Sequence, residues 1–197
     1  MEHRTPITIW LDPVCPYSWQ TAAWLRETVD DPDALRWELM SLALLNEGRD
    51  LPERARARMR DSGAAGRLFA ALGTELDDAA RWRALAAFSA WYHHDAPALD
   101  AAPVARLLTD LGLPTRYADA LADASWDVAV RAEHARSQEA AGGSAGSPLV
   151  RIGEATFHGP VLTTVPEPEA AAALLAGLRS LAAVDAFTSV QRLRPDQ

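Results

Sequence analysis

Cysteine is nearly missing from this chain: one, Cys15, among 197 residues. A lone cysteine excludes an intramolecular disulfide, and an oxidising compartment would expose it to unwanted pairing, so a cytoplasmic protein is expected. Long apolar runs are missing too. The opening "MEHRTPITIW" has a charged start and no stretch of signal-peptide length before Asp12. Nothing later approaches the ~20 apolar residues of a membrane span, so neither a targeting segment nor a membrane partner is expected. Positive charge is in deficit, with 19 Lys plus Arg against 27 Asp plus Glu and a net charge of −8. That balance gives no electrostatic reason to seek nucleic acid. The short run Arg54, Arg56, Arg58 and Arg60 alternates with Ala and Met, and reads as the solvated face of a helix ahead of a phosphate patch. No Pro/Ser/Gly linker divides the chain and no internal repeat stands out. His93, His94 and Asp95 are adjacent and cannot share a helix face, so no metal is expected.

What is present is a soluble globular composition, 49% apolar with seven tryptophans, in a chain long enough for one sizeable core. "ITIWLD", residues 7 to 12, alternates as a strand. "YSWQTAAWLRETV" carries helix formers, with Trp19, Ala22, Ala23 and Arg26 on one stripe, and Asp30-Asp31-Pro32 closes it. "ALRWELMSL" resumes as a strand, with Leu35, Trp37, Leu39 and Ser41 on one face. From Pro52 to about Ala141 the pattern is helical, broken at Gly63, Gly66, Gly73, Pro97, Pro103, Gly112 and Pro114. Its pieces are "TELDDAARWRALAAFSAWYHH", "APVARLLTDLG", "PTRYADALADA" and "SWDVAVRAEHARSQEAA". After Gly146, "SPLVRIGEATFHG" reads as a hairpin turning at Gly153-Glu154. "PEPEAAAALLAGLRSLAAV" then forms a terminal helix with Thr164 as candidate N-cap. The predicted class is α/β, β-α-β … β-β-α with a helical subdomain inserted in the middle, an order that resembles the thioredoxin fold. The expected division is 1–50 and 144–197 for the two thioredoxin-like halves and 51–143 for the insertion.

Cys15 falls at the first strand-to-helix junction, directly before Pro16. Proline is preset for the first helical position, which makes Cys15 the N-cap. There its sulfur can accept from the amides of Tyr17 and Ser18, the Ser18 hydroxyl can add a donor, and the helix dipole favours a thiolate. The sequence therefore predicts an acidic, reactive thiol. Free cysteine is also among the most buried residue types, and for an arbitrary cytoplasmic chain space-filling would be preferred. The strand–Cys–Pro–helix context, with Ser147-Pro148 opening the hairpin strand downstream, reverses that preference.

"WLDPVCPYSW" resembles the "FDPxCPxxW" pattern of the DsbA-like branch of the thioredoxin superfamily. "MSLALLNEGRDLP" (40 to 52), "GSPLVRIGEATFHGPVLTTVP" (146 to 166) and the closing "FTSVQRLR" are similar to actinobacterial mycothiol-dependent nitroreductases. The resemblance covers most of the chain and is weakest in the insertion. It implies the thioredoxin-like fold, a Cys15 nucleophile, a cis-proline at Pro148 facing it, and mycothiol or a glutathione-like low-molecular-weight thiol as cofactor. Dithiol members carry a second cysteine where this chain has Ser18, so the implied cycle is monothiol: a mixed disulfide on Cys15 must be resolved by a thiol from solution. "CPYSW" is also similar to the "SPYSW" of kappa-class glutathione transferases and 2-hydroxychromene-2-carboxylate isomerases, where serine stands at the cysteine's place. Thiol transfer or isomerisation is the alternative activity.

The candidate catalytic residues are thus Cys15 and Ser18, with Pro16, Tyr17, Ser147, Pro148 and His93 binding substrate or thiol. His93 is weighed against a plain cationic helix end, and His158 reads as an edge residue. Tyr17, Trp19, Trp37 and Trp91 are assigned near the site, and Trp24, Trp82 and Trp126 to the core. Asn46, Glu47 and Arg49 form a polar loop suited to carboxylates or sugar hydroxyls. The expected partner is a small thiol or disulfide, with a homodimer contact on the "YSWQTAAWL" face or the insertion left open.

Overall fold

The computed structural model describes residues 5–95 and 99–192. Pro97 and the last two residues of "FTSVQRLR" lie outside the described residues. Strand β1 (Ile7–Leu11) sits inside a four-stranded sheet ordered β2-β1-β3-β4, parallel to β2 (Leu35–Leu39) and antiparallel to β3 (Leu149–Ile152), which pairs antiparallel with β4 (Ala155–His158). Helix α1 (Pro16–Thr28) crosses from β1 to β2, and α7 (Pro168–Ala182) closes the fold. Between β2 and β3 run α2 (Leu42–Leu45), α3 (Glu53–Leu72), α4 (Asp78–Asp95), α5 (Ala101–Asp110) and α6 (Asp127–Ala141). No helix among the described residues is long and apolar enough to cross a membrane.

Alternation along β1 decides which layer each residue joins. Ile7, Ile9 and Leu11 are fully buried in the main core with Trp24 and Leu25 of α1 and Leu175 of α7. Trp10 points the other way, into a small cluster with Met40 and Leu149 against Ala140 and Ala141 of α6. The Trp24 indole N–H donates to Ala171 O at 3.1 Å, pinning α1 to α7. An edge-to-face aromatic chain ties β2 to the inserted helices. Trp37 lies 5.5 Å from Phe69 and 6.3 Å from Trp82, and Phe69 lies 5.4 Å from Phe88. Such pairs each contribute about 0.5–1.5 kcal/mol beyond area burial. One apolar core therefore runs from the sheet into the insertion.

Several local expectations change. The buried face of α1 is Ser18, Thr21, Ala22, Trp24 and Leu25, while Arg26 is exposed. Ser41 is not on β2 but caps α2, accepting from Leu44 N at 3.3 Å. Gly63 and Gly66 lie inside α3. At Gly66 a Cβ would meet Val130 Cγ1 at 3.2 Å, so the close approach of α3 to α6 explains a glycine that reads as a break. "PTRYADALADA" forms a 3₁₀ turn (Thr115–Leu121) instead of an α-helix, and α7 is capped at Glu167, not Thr164. Trp37 belongs to the core, whereas Trp126 is only partly buried.

Candidate active site

The site forms where β1 runs out. After Leu11 the chain turns so that Cys15 N donates to Asp12 O at 3.0 Å, and α1 begins at Pro16 with Cys15 as N-cap (φ −88°, ψ 111°). Asp12, 1% exposed, holds this turn. Its carboxylate accepts from Val14 N at 2.9 Å, from Leu42 N at 2.7 Å and from Ser62 Oγ at 2.5 Å, and its own amide donates to Ser147 Oγ at 3.0 Å. One side chain thus joins the cysteine turn, the start of α2 and the middle of α3, and the backbone of the same residue reaches the loop before β3. A buried carboxylate with three donors is hydrogen-bonded as burial requires. Burial still pushes the Asp12 carboxyl above its ordinary value, against the pull of Ser62, the Leu42 and Val14 amides and Arg58.

Arg58 braces the same turn. It is not a solvated-face residue: its guanidinium donates to Val14 O at 2.9 Å and lies 5.5 Å over the Tyr92 ring, whose hydroxyl donates to Asp61 Oδ2 at 2.5 Å. Alternate residues of a helix lie about 200° apart, so Arg58 turns inward while Arg56 and Arg60 pair outside with Glu53.

The Cys15 residue is 7% exposed, beside buried Ser18 and Pro148, half-buried Tyr17 and Ser147, and exposed Pro16. The Ser147–Pro148 peptide is cis, and so is Gly159–Pro160; the Pro160 carbonyl accepts from Thr21 Oγ1 at 2.7 Å. As a thiol, Cys15 Sγ donates to Ser147 O at 3.9 Å and forms no capping hydrogen bond. Its acidity departs from the sequence expectation. Burial pushes the thiol up, and the Asp12 carboxylate adds to that, while the Ser18 hydroxyl and the Ser18 and Tyr17 amides pull it down. The Ser18 hydroxyl and the helix-start amides favour the thiolate without capping the thiol, and desolvation outweighs them, because a buried anion loses more hydration than these donors restore.

His93 is half-buried at the end of α4, its ring 5.3 Å from Tyr92 and its Nε2 buried without a hydrogen-bond partner among the described residues. Burial, with Arg58 next, pushes its pKa down to about 4, against a contact with the Pro13 backbone. A cationic helix-end role is therefore corrected: this imidazole is neutral at pH 7. Between pH 6.5 and about 4 the unfolded chain binds a proton at His93 that the folded chain does not, so stability rises with pH across that window. In urea titrations from pH 4 to 7, His93→Gln flattens the rise; an unchanged slope refutes it.

The structure brings Cys15, Ser18, Tyr17, Ser147 and Pro148 together, and His93 against Pro13 in the cysteine turn. Asn46 and Glu47 are engaged within the protein, Asn46 Nδ2 donating to Leu42 O at 2.9 Å and Glu47 pairing with Arg131 of α6 at 2.8 Å. Asp12, Arg58, Ser62 and Tyr92 are absent from the sequence-derived set. Asp12 stands within the quoted motif and carried the only local signal; the other three come from helices distant in sequence.

A cysteine at the N-cap of the helix that follows β1, with a cis Ser-Pro segment facing its sulfur, is a thioredoxin-like arrangement. The chain belongs to the Rv2466c-like family, described as mycothiol-dependent nitroreductase Rv2466c, whose model matches residues 14–192. Among solved structures, it is similar in fold to a probable DsbA oxidoreductase from Streptomyces coelicolor (17% identity, 96% of this chain and 94% of that one, TM-score 0.59). The cytosolic disulfide reductase DsbM from Pseudomonas aeruginosa matches at 18% identity over 89% of this chain and 99% of that one, TM-score 0.53.

Proposed function

We propose that this protein is a cytoplasmic monothiol oxidoreductase in which the Cys15 thiolate attacks a disulfide and a low-molecular-weight thiol, mycothiol in the family's description, releases the product. The carrying observation is the sulfur at the head of α1, 3.9 Å from Ser147 O and beside the Ser18 hydroxyl, in a chain with no second cysteine. In the first step Cys15–S⁻ forms a bond to one sulfur of RSSR, the S–S bond breaks, and RS⁻ leaves with the electron pair. In the second, R′S⁻ attacks the Cys15–S–SR mixed disulfide, R′SSR departs, and Cys15 returns as thiolate. Ser18 has no sulfur to offer, so the second thiol comes from solution.

Ser18 and the Tyr17 amide stabilise the thiolate, Pro16 and Tyr17 border the sulfur, and Ser147-Pro148 presents backbone to the bound thiol compound. Neutral His93 lines the floor of the cysteine turn. The raised thiol pKa suits this role, since a more basic thiolate is the stronger nucleophile and compensates in part for its smaller population.

Intact-mass measurement after incubation with an oxidised low-molecular-weight thiol shows one adduct of that thiol's mass, and excess reduced thiol removes it. With one cysteine in the chain the adduct reports Cys15. Absence of an adduct with mycothiol and glutathione disulfides alike removes the redox reading.

A further inference from the structure

Ser147 does more at this site than present a carbonyl, and its hydroxyl is the informative atom. Ser147 Oγ accepts from the Asp12 amide at 3.0 Å and lies 2.6 Å from Ser18 Oγ. Ser18 is fully buried, so its hydroxyl has no bulk water to turn to. A hydroxyl carries one proton and two acceptor lone pairs, so the 2.6 Å contact can run in either direction, and the two directions differ in what they leave for the sulfur. The Asp12 amide can only donate. If the Ser18 proton points at Ser147, that oxygen accepts twice, as a hydroxyl can, and no hydroxyl donor is left for the sulfur. If the Ser147 proton points at Ser18, the Ser18 proton is free for Cys15.

We propose that the Ser147 hydroxyl is a positioning group that holds the Ser18 hydroxyl with its proton aimed at the Cys15 sulfur. The directed chain is Asp12 N–H to Ser147 Oγ, Ser147 O–H to Ser18 Oγ, Ser18 O–H to Sγ. It rests on the reading of Cys15 as nucleophile and deepens it. Ser147 then serves both protonation states of the sulfur: its carbonyl accepts the S–H of the thiol at 3.9 Å, and its hydroxyl organises the donor to the thiolate. Chains of this kind polarise one another, so removing a distant member weakens the terminal bond without touching the sulfur. The same two serines explain how a chain with no resolving thiol fills that space: the position across from the sulfur is a proton donor held from behind.

The test is the pH profile of Cys15 alkylation by iodoacetamide, followed by mass spectrometry, in the full chain and in Ser147→Ala, Ser147→Thr, Ser18→Ala and the double Ser18→Ala/Ser147→Ala variant. Loss of a hydrogen-bond donor to a charged group makes Ser147→Ala react roughly three- to tenfold more slowly near neutral pH. Its profile shifts to higher pH, in the same direction as Ser18→Ala. The double variant matches Ser18→Ala alone, because Ser147 acts only through Ser18, and Ser147→Thr, which keeps the hydroxyl, follows the wild type. Thermal melts of all four confirm a folded protein at the assay temperature. A wild-type profile in Ser147→Ala, or effects of the two serines that multiply in the double variant, overturns the proposal. Either result would leave the mixed disulfide on wild-type Cys15 intact, so the failure of this inference is distinguishable from failure of the redox reading.

Discussion

Cys15→Ser lowers thiol–disulfide exchange by on the order of 10³-fold or more, measured as turnover of a low-molecular-weight disulfide with excess thiol. A serine hydroxyl ionises far above a thiol and forms no mixed disulfide, so the first step of the cycle has no nucleophile. The substitution is nearly isosteric, and a folded Cys15→Ser protein is expected, because the turn is held by Asp12 and Arg58 and not by the sulfur. The result also discriminates between chemistries. In kappa-class transferases and the related isomerases serine stands at this position and holds a cofactor's thiolate. If the Cys15→Ser protein binds a thiol and keeps a substantial share of an addition or isomerisation activity, the site is of that type and the covalent cycle is wrong.

Asp12→Ala costs about 3–5 kcal/mol of stability, a fall of roughly 10 °C or more in Tm. The substitution leaves Val14 N, Leu42 N and Ser62 Oγ without their acceptor in a place 1% exposed to water. It also removes the tie between the cysteine turn, the start of α2 and the middle of α3. Asp12→Asn keeps one acceptor oxygen but offers two N–H donors where three donors already converge, so it lies between alanine and the wild type. A melt of Asp12→Ala within a degree or two of the wild type would show that the three hydrogen bonds are replaced by water. The same variant is expected to scatter the geometry at Cys15, seen as loss of the adduct even where the protein remains folded at low temperature.

Local pattern carried far along this chain. Alternation over Ile7, Ile9 and Leu11, the proline after Cys15 and the glycine turn at Gly153 are near-neighbour effects, and they recovered β1, the start of α1 and the β3–β4 hairpin with small errors. The cysteine motif also pointed to Cys15 and Ser18, and a proline opening the hairpin strand pointed to the Ser147-Pro148 segment. Misreadings arose where the deciding partner was remote. Gly66 looks like a helix breaker until Val130 of α6 is seen against it. Arg58 looks like one of four equivalent surface arginines until Val14 O and the Tyr92 ring are found on its side of α3. The acidity of Cys15 was misjudged for the same reason. Helix-start donors can be read from spacing, but the depth of burial and the nearby Asp12 carboxylate cannot.

The sequence by itself determined the order of elements, the placement of the single sulfur at the head of a helix and the lack of any second thiol to resolve it, because these depend on residues within a few positions of one another. Only the tertiary structure decided how much water reaches that sulfur, that a neutral histidine and an inward arginine back its loop, and that Asp12, Ser18 and Ser147 meet in one hydrogen-bonded line. Desolvation and hydrogen-bond direction are properties of everything packed around an atom, and residues more than a hundred positions apart contribute to them here.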